Sequence, residues 1–171
     1  MTIIFDFDGT LANTLSILVD IYNDYIVKEF NCKPFDKSQL AKFQNRNPSE
    51  FMRSFGITPL KLPFIAVRAR KLLSQEMPKV EAFDGVIAVV EQLKQKGIQL
   101  GIVTSNSERN ARLFLKKYGI EQHFEFVNGG RSLISKKRTL KKLIKKYQLD
   151  LSQTIYIGDE IRDIASCKHV G

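Results

Sequence analysis

Two cysteines, Cys32 and Cys167, are all that the chain contains, and they stand far apart with no Cys-x-x-Cys spacing. That scarcity excludes a disulfide framework and fits free thiols in a reducing compartment. Histidine is equally scarce: His123 and His169 are isolated, lack the spacing of a metal-ligand pair, and read as surface or packing residues. No serine-nucleophile motif occurs, and Gly129-Gly130 is too short for a dinucleotide loop and reads as a turn. No apolar run approaches membrane-spanning length, and the first strand starts at the second residue, which leaves no place for a signal peptide. The expectation is a cytoplasmic protein with no membrane partner. Internal repeats, low-complexity segments and heptad runs are also absent.

What is present is enough for a core. A chain of 171 residues, 43% hydrophobic, suits one domain or one domain carrying an insertion. The net charge of +9 suggests an acidic ligand, without choosing among phosphate, nucleic acid and membrane surface. Seven cations fall in one run, Lys136, Lys137, Arg138, Lys141, Lys142, Lys145 and Lys146. Most of these read as a solvated helix face, because Leu140, Leu143, Ile144 and Tyr147 mark the buried one. No motif that reads RNA or DNA accompanies them, so nucleic acid is the minority expectation for this charge.

Ile3, Ile4, Phe5 and Phe7 read as a short buried strand, yet it ends in Asp6 and Asp8. Side chains at i and i+2 share a face, ~7 Å apart, so two anions meet at the edge of a core. In a partly buried place such a pair repels by roughly 2–3 kcal/mol, which a proton or a cation must offset. A hard divalent metal held by oxygen ligands is the simplest partner.

Apolar groups at Leu15, Leu18, Val19, Tyr22, Ile26 and Phe30 then predict one helix behind an Asn13 or Thr14 cap. Between Pro34 and Pro78, prolines at 34, 48, 59, 63 and 78 separate helix-like pieces, Ser49 to Phe55 and Phe64 to Met77. From Phe83 onward, helices are expected over Val86 to Lys96, Glu108 to Tyr118, Lys136 to Tyr147 and Ile161 to His169. Strands are expected over Ile98 to Val103, Phe124 to Val127 and Thr154 to Ile157. Alternating strands and helices imply a doubly wound parallel sheet. The expected fold is α/β, with a core from residues 1–13 and 80–171 and an inserted all-helical unit over 14–79.

Ligands in such sheets collect at the carboxyl ends of the strands. The polar residues there are Asp6 and Asp8 after the first strand, Thr104, Ser105 and Asn106 after the second, and Asp159 with Asp163 after the fourth. Lys136 opens the helix after the third. If the last helix has begun by Asp159, the spacing of four puts Asp159 and Asp163 on one side, where they can share a cation. Carboxylates, hydroxyls and a cation are the inventory for a metal and a phosphoryl group.

Those residues carry a resemblance. DFDGT at 6–10, VTSN at 103–106, SKK at 135–137 and GDEIRD at 158–163 resemble, in order, the four motifs of the haloacid dehalogenase superfamily. The chain looks most like its phosphatase branch with a helical cap, the phosphoglycolate phosphatase-like members. The resemblance implies a Mg²⁺-dependent phosphatase in which Asp6 is the nucleophile and Asp8 the general acid and base. A small phosphorylated metabolite would be the substrate, bound by Thr104, Ser105, Asn106 and Lys136, with Thr104 and Lys136 holding the phosphoryl oxygens and Lys137, one residue of register away, the alternative to Lys136. Asp6, Asp8, Asp159 and Asp163 would make up the metal site.

A phosphomutase would share all four motifs, and an idle phosphate- or partner-binding member would have no need for all of them. In the inserted unit, Arg46, Asn47, Arg53 and Lys61 are polar groups near expected loop ends and are candidates for selecting substrate. Asn13 and Thr14 stand where helical-cap members often carry aspartate and serine. Members usually continue past the glycine matching Gly171 into another strand and a loop.

Overall fold

The computed structural model describes residues 1–36, 52–130 and 136–170, the side chain of Arg162 excepted. Arg46, Asn47, Ser135, Gly171 and residues 49–51 of the helix expected over Ser49 to Phe55 lie outside the described residues. Internal contacts divide the chain into two compact units, Leu15–Glu76 and Met1–Thr14 with Met77–Gly171.

The first unit is helical. The helix expected over 13–30 is interrupted: α1 (Leu15–Ile21) and α2 (Val27–Phe30) flank a wide π turn over Tyr22–Ile26. Side chains on that turn anchor the chain that follows. Tyr22 Oη donates to the Lys33 carbonyl at 2.8 Å, and Asn23 exchanges two hydrogen bonds with the Phe35 backbone at 2.7 and 2.8 Å. Phe35 packs on Phe55 with ring centroids 5.3 Å apart.

The long helix α3 (Leu62–Glu76) buries Ile65, Leu72 and Leu73, and Arg68 grips Glu29 through Nε at 2.8 Å. Lys61 Nζ donates to the carbonyls of Phe30 and Gly56 at 2.8 and 3.3 Å. That ammonium braces the unit rather than standing free for a substrate.

The second unit is the α/β core. Four strands, β1 (Thr2–Phe5), β4 (Gln99–Thr104), β5 (Phe124–Gly129) and β6 (Thr154–Ile157), form one parallel sheet in the order β5-β4-β1-β6. Helices α4 (Val86–Gln95), α5 (Glu108–Lys117), α6 (Lys136–Tyr147) and α7 (Ile161–Lys168) alternate with them. One core cluster joins Ile4, Val103 and Phe126 of the sheet to Leu140 and Leu143 of α6, so α6 lies on the sheet by its apolar stripe.

A two-stranded antiparallel ladder, β2 (Ala12–Asn13) with β3 (Glu81–Ala82), was not expected. It is two residues long on each side, too short for alternation to reveal. It pairs the chain just before it leaves the core with the chain just after it returns. Tyr118 Oη accepts the Ala82 amide at 2.9 Å, and Lys117 Nζ binds the Val80 carbonyl at 2.7 Å. Among the described residues no helix is long and apolar enough to cross a membrane.

Candidate active site

The β1–β6 ladder continues one hydrogen bond beyond the strands, the Asp6 amide donating to the Ile157 carbonyl at 2.8 Å. Asp6 is thereby fixed at the carboxyl edge of the central strand. Its carboxylate is buried and accepts the Phe7 amide at 2.7 Å on Oδ1 and Lys136 Nζ at 2.6 Å on Oδ2. Lys136 also donates to Asp163 Oδ1, so one ammonium joins the first strand to the last helix. Beneath it the Tyr156 ring lies 5.2 Å away, held by a hydrogen bond from Tyr156 Oη to the Val103 carbonyl at 3.0 Å.

Oxygen atoms of Asp6, Asp159 and Asp163 all lie within 4.8 Å of one another. Asp163 Oδ2 is buried and has no hydrogen-bond partner among the described residues. A buried carboxylate oxygen without a donor is costly, by about 1–3 kcal/mol or more, and a cation in this cluster would satisfy it. An all-oxygen, triply acidic donor set fits a hard divalent ion such as Mg²⁺.

Two glycines make the cluster possible. A Cβ on Gly9, whose φ is +74°, would stand 2.2 Å from Asp159 Oδ2, and one on Gly158 would stand 2.1 Å from Asp163 Oδ2. The helical spacing expected for Asp159 and Asp163 is not what joins them. Helix α7 begins only at Ile161, so Asp159 sits in the preceding turn, near the Thr10 hydroxyl at 3.4 Å.

Asp8 faces a different set of groups. Its Oδ1 accepts the Thr14 hydroxyl at 2.8 Å and the Asn106 Nδ2 amide at 2.9 Å, and Asp8 is absent from the acidic cluster. Expected as a metal ligand as well as an acid, its side chain is instead turned toward neutral donors. Asn106, expected to touch substrate, is buried and bound to protein: its Oδ1 accepts the Ser107 amide at 2.7 Å and Asn110 Nδ2 at 3.0 Å. It therefore positions Asp8. Thr14 does the same from only six residues along the chain, whereas Asn106 reaches Asp8 across the fold, and neither role was visible in the sequence.

Ser107 caps α5, its Oγ accepting the Asn110 amide at 3.1 Å. Thr104 Oγ1 accepts the Asn106 amide at 3.0 Å, which leaves its hydroxyl hydrogen to be donated. Ser105 is half-buried.

Burial sets the protonation pattern. It pushes the Asp6 carboxyl up, with the Lys136 charge and hydrogen bond pulling the other way. Burial also raises Asp8, to about 6, although the Thr14 and Asn106 hydrogen bonds favour the ionised form. Burial raises Asp159 too. Burial alone would lower Lys136, but the Asp6 and Asp163 carboxylates outweigh it and the ammonium is held above its ordinary value. The site thus combines a firmly charged lysine with a carboxyl that titrates near 6.

The sequence profile described as "Haloacid dehalogenase-like hydrolase" matches residues 3–171. The phosphoglycolate phosphatase of Synechococcus elongatus is 32% identical over 99% of this chain and 79% of its own length. Pyrophosphatase PpaX of Halalkalibacterium halodurans is 25% identical over 99% of the chain and 80% of its own. Among solved structures, a haloacid dehalogenase-like family hydrolase from Streptococcus pneumoniae superposes with a TM-score of 0.77 at 22% identity, covering 99% and 80% of the two chains. The chain belongs to the haloacid dehalogenase-like hydrolase family.

Proposed function

We propose that the chain hydrolyses the phosphate monoester of a small metabolite through an aspartyl-phosphate on Asp6. The observation that carries this reading is the meeting of Asp6, Lys136, Asp159 and Asp163 at one strand edge, with Asp8 beside them titrating near 6. In this reading Asp6, Asp159 and Asp163 hold Mg²⁺, which when bound offsets the charge of the phosphate dianion. Asp8 is left out of that set.

Attack by the Asp6 carboxylate on phosphorus forms the acyl phosphate and breaks the ester bond. Lys136 brings a positive charge to the transferring group, and the Thr104 hydroxyl donates to one of its oxygens. Asp8 gives its proton to the departing alkoxide, then takes one from the water that attacks the intermediate. A group titrating near neutrality is suited to both half-reactions. Water thus releases inorganic phosphate and regenerates Asp6.

In the same reading residues 14–79 are the cap that selects substrate, and free Cys32 and Cys167 suit the reducing cytoplasm. The name of the Synechococcus relative makes 2-phosphoglycolate the first substrate to try. Phosphate release from a panel of phosphorylated metabolites, with Mg²⁺ and with chelator, tests the proposal. Hydrolysis that needs Mg²⁺ and disappears in Asp6→Asn supports it; hydrolysis surviving in Asp6→Asn overturns it.

A further inference from the structure

Helix α6 has seven cations and no acid among its twelve residues, against a net charge of +9 for the whole chain. Only Lys136 turns inward, to Asp6 and Asp163. Arg138, Lys141, Lys142, Lys145 and Lys146 are exposed and Lys137 is half-buried. Among the described residues none of these six has an ion-pair partner. Elsewhere in the core some cations are paired, Arg112 with Glu108 and Glu121 and Lys117 with Glu81. Six cations without an acid among them on one helix are the densest positive surface of the described residues.

Its arrangement is regular. Lys137, Lys141 and Lys145 form one row of four-residue spacing, and Arg138, Lys142 and Lys146 another, with ~6 Å of helix rise between neighbours in each row. Like charges at this spacing repel and destabilise the helix. Lys137 and Arg138, in the first turn, also sit on the positive end of the helix dipole. Ligand anions along the face relieve both effects. The rows run the length of a helix of about 18 Å, farther than one small phosphate ester reaches, so the complementary ligand repeats its charge.

The apolar residues of α6 argue against a lipid surface. Leu140 and Leu143 are buried, and Ile144 and Tyr147 pack on the same core cluster, so no apolar wedge stands between the lysines to enter a bilayer.

We propose that the outer face of α6 binds the phosphate backbone of a nucleic acid strand, without reading its bases. This site is separate from the catalytic groups and does not depend on what they hydrolyse. Fluorescence anisotropy with a labelled uridine oligomer tests it. With about five phosphate contacts the affinity falls on the order of 100-fold from 50 to 200 mM salt, a log–log slope near −3.5. The triple variant Lys141→Gln, Lys142→Gln, Lys145→Gln loses about 2 from that slope, while the corresponding arginine variant keeps it. Circular dichroism checks that both remain folded, and phosphate-ester hydrolysis stays at the parent level in both. No binding at low salt, or a slope that the glutamine variant leaves unchanged, overturns the proposal. Tighter retention on phosphatidylserine vesicles than on the oligomer overturns it too, in favour of an acidic membrane.

Discussion

Asp6 and Asp8 are two residues apart, and the structure gives them opposite company. Asp6 faces an ammonium and two further carboxylates; Asp8 faces a hydroxyl and an amide. Both are pushed up by burial, but only Asp6 has a full positive charge pulling it back. The difference teaches how one short strand end can serve two kinds of chemistry. A carboxylate beside a cation has its anionic form favoured by that charge against the pull of burial, which suits a nucleophile or ligand. A carboxyl among neutral dipoles stays near neutrality and can exchange a proton.

The sharpest way to break this comparison is kinetic. Asp6→Asn removes the nucleophile and should bring hydrolysis down to the uncatalysed level. Asp8→Asn removes proton transfer alone and should lower kcat by about 10²–10⁴. Equal losses, measured with the same substrate and Mg²⁺, would erase the distinction.

Next in size is the lysine. Lys136→Met leaves Asp6 and Asp163 buried without their cation, which should destabilise the metal-free protein by about 3 kcal/mol. Urea denaturation should show that loss and its partial recovery on adding Mg²⁺. A variant as stable as the parent without metal would mean that the two acids need no counter-charge.

The Asp8 side can be sharpened by pH. A carboxyl raised from 3.8 to about 6 favours folding in its protonated form. Its contribution is fully present below its ordinary value and is lost as pH rises through 6. Asp8→Asn should therefore make the metal-free protein more stable at pH 7, by up to about 3 kcal/mol, and change little at pH 4. Asn106→Ala removes a bond that favours the ionised form, so carboxyl-detected NMR should find Asp8 titrating higher still. A downward move would sink the assigned role of Asn106.

Glu81 is the smallest effect and the control. It is exposed, and the Tyr118 hydroxyl and the Lys117 ammonium hold it below the ordinary carboxylate range. Its contribution is present above the ordinary value and fades as pH falls through the depressed one. Glu81→Gln should lower Tm slightly at pH 7 and not at pH 3, a trend opposite in sign to that at Asp8.

Most of the core was legible because its signals are local. Apolar runs ending in polar clusters marked the four parallel strands, and the stripe of Leu140, Leu143, Ile144 and Tyr147 marked the inner face of α6. Asp6, Asp159 and Lys136 stand at strand ends or a helix start, where the topology alone brings them together.

What could not be read depends on how the backbone folds between its regular elements. Asn106 looks like a turn residue until the fold brings it to Asp8 from a distant segment, and Thr14 looks like a helix cap until a local bend of six residues turns it onto the same carboxyl. The meeting of Asp159 and Asp163 was expected from helix spacing, but it arises from a turn that two glycines leave open. The π turn at Tyr22–Ile26 and the two-residue strands β2 and β3 carry no periodicity long enough to detect.

Gly9 and Gly158 lend the acidic cluster its room by having nothing to put in it. In a saturation scan of the chain, these two blank positions should tolerate as few replacements as the aspartates they make way for. A search for important residues that looked only at reactive side chains would pass over both.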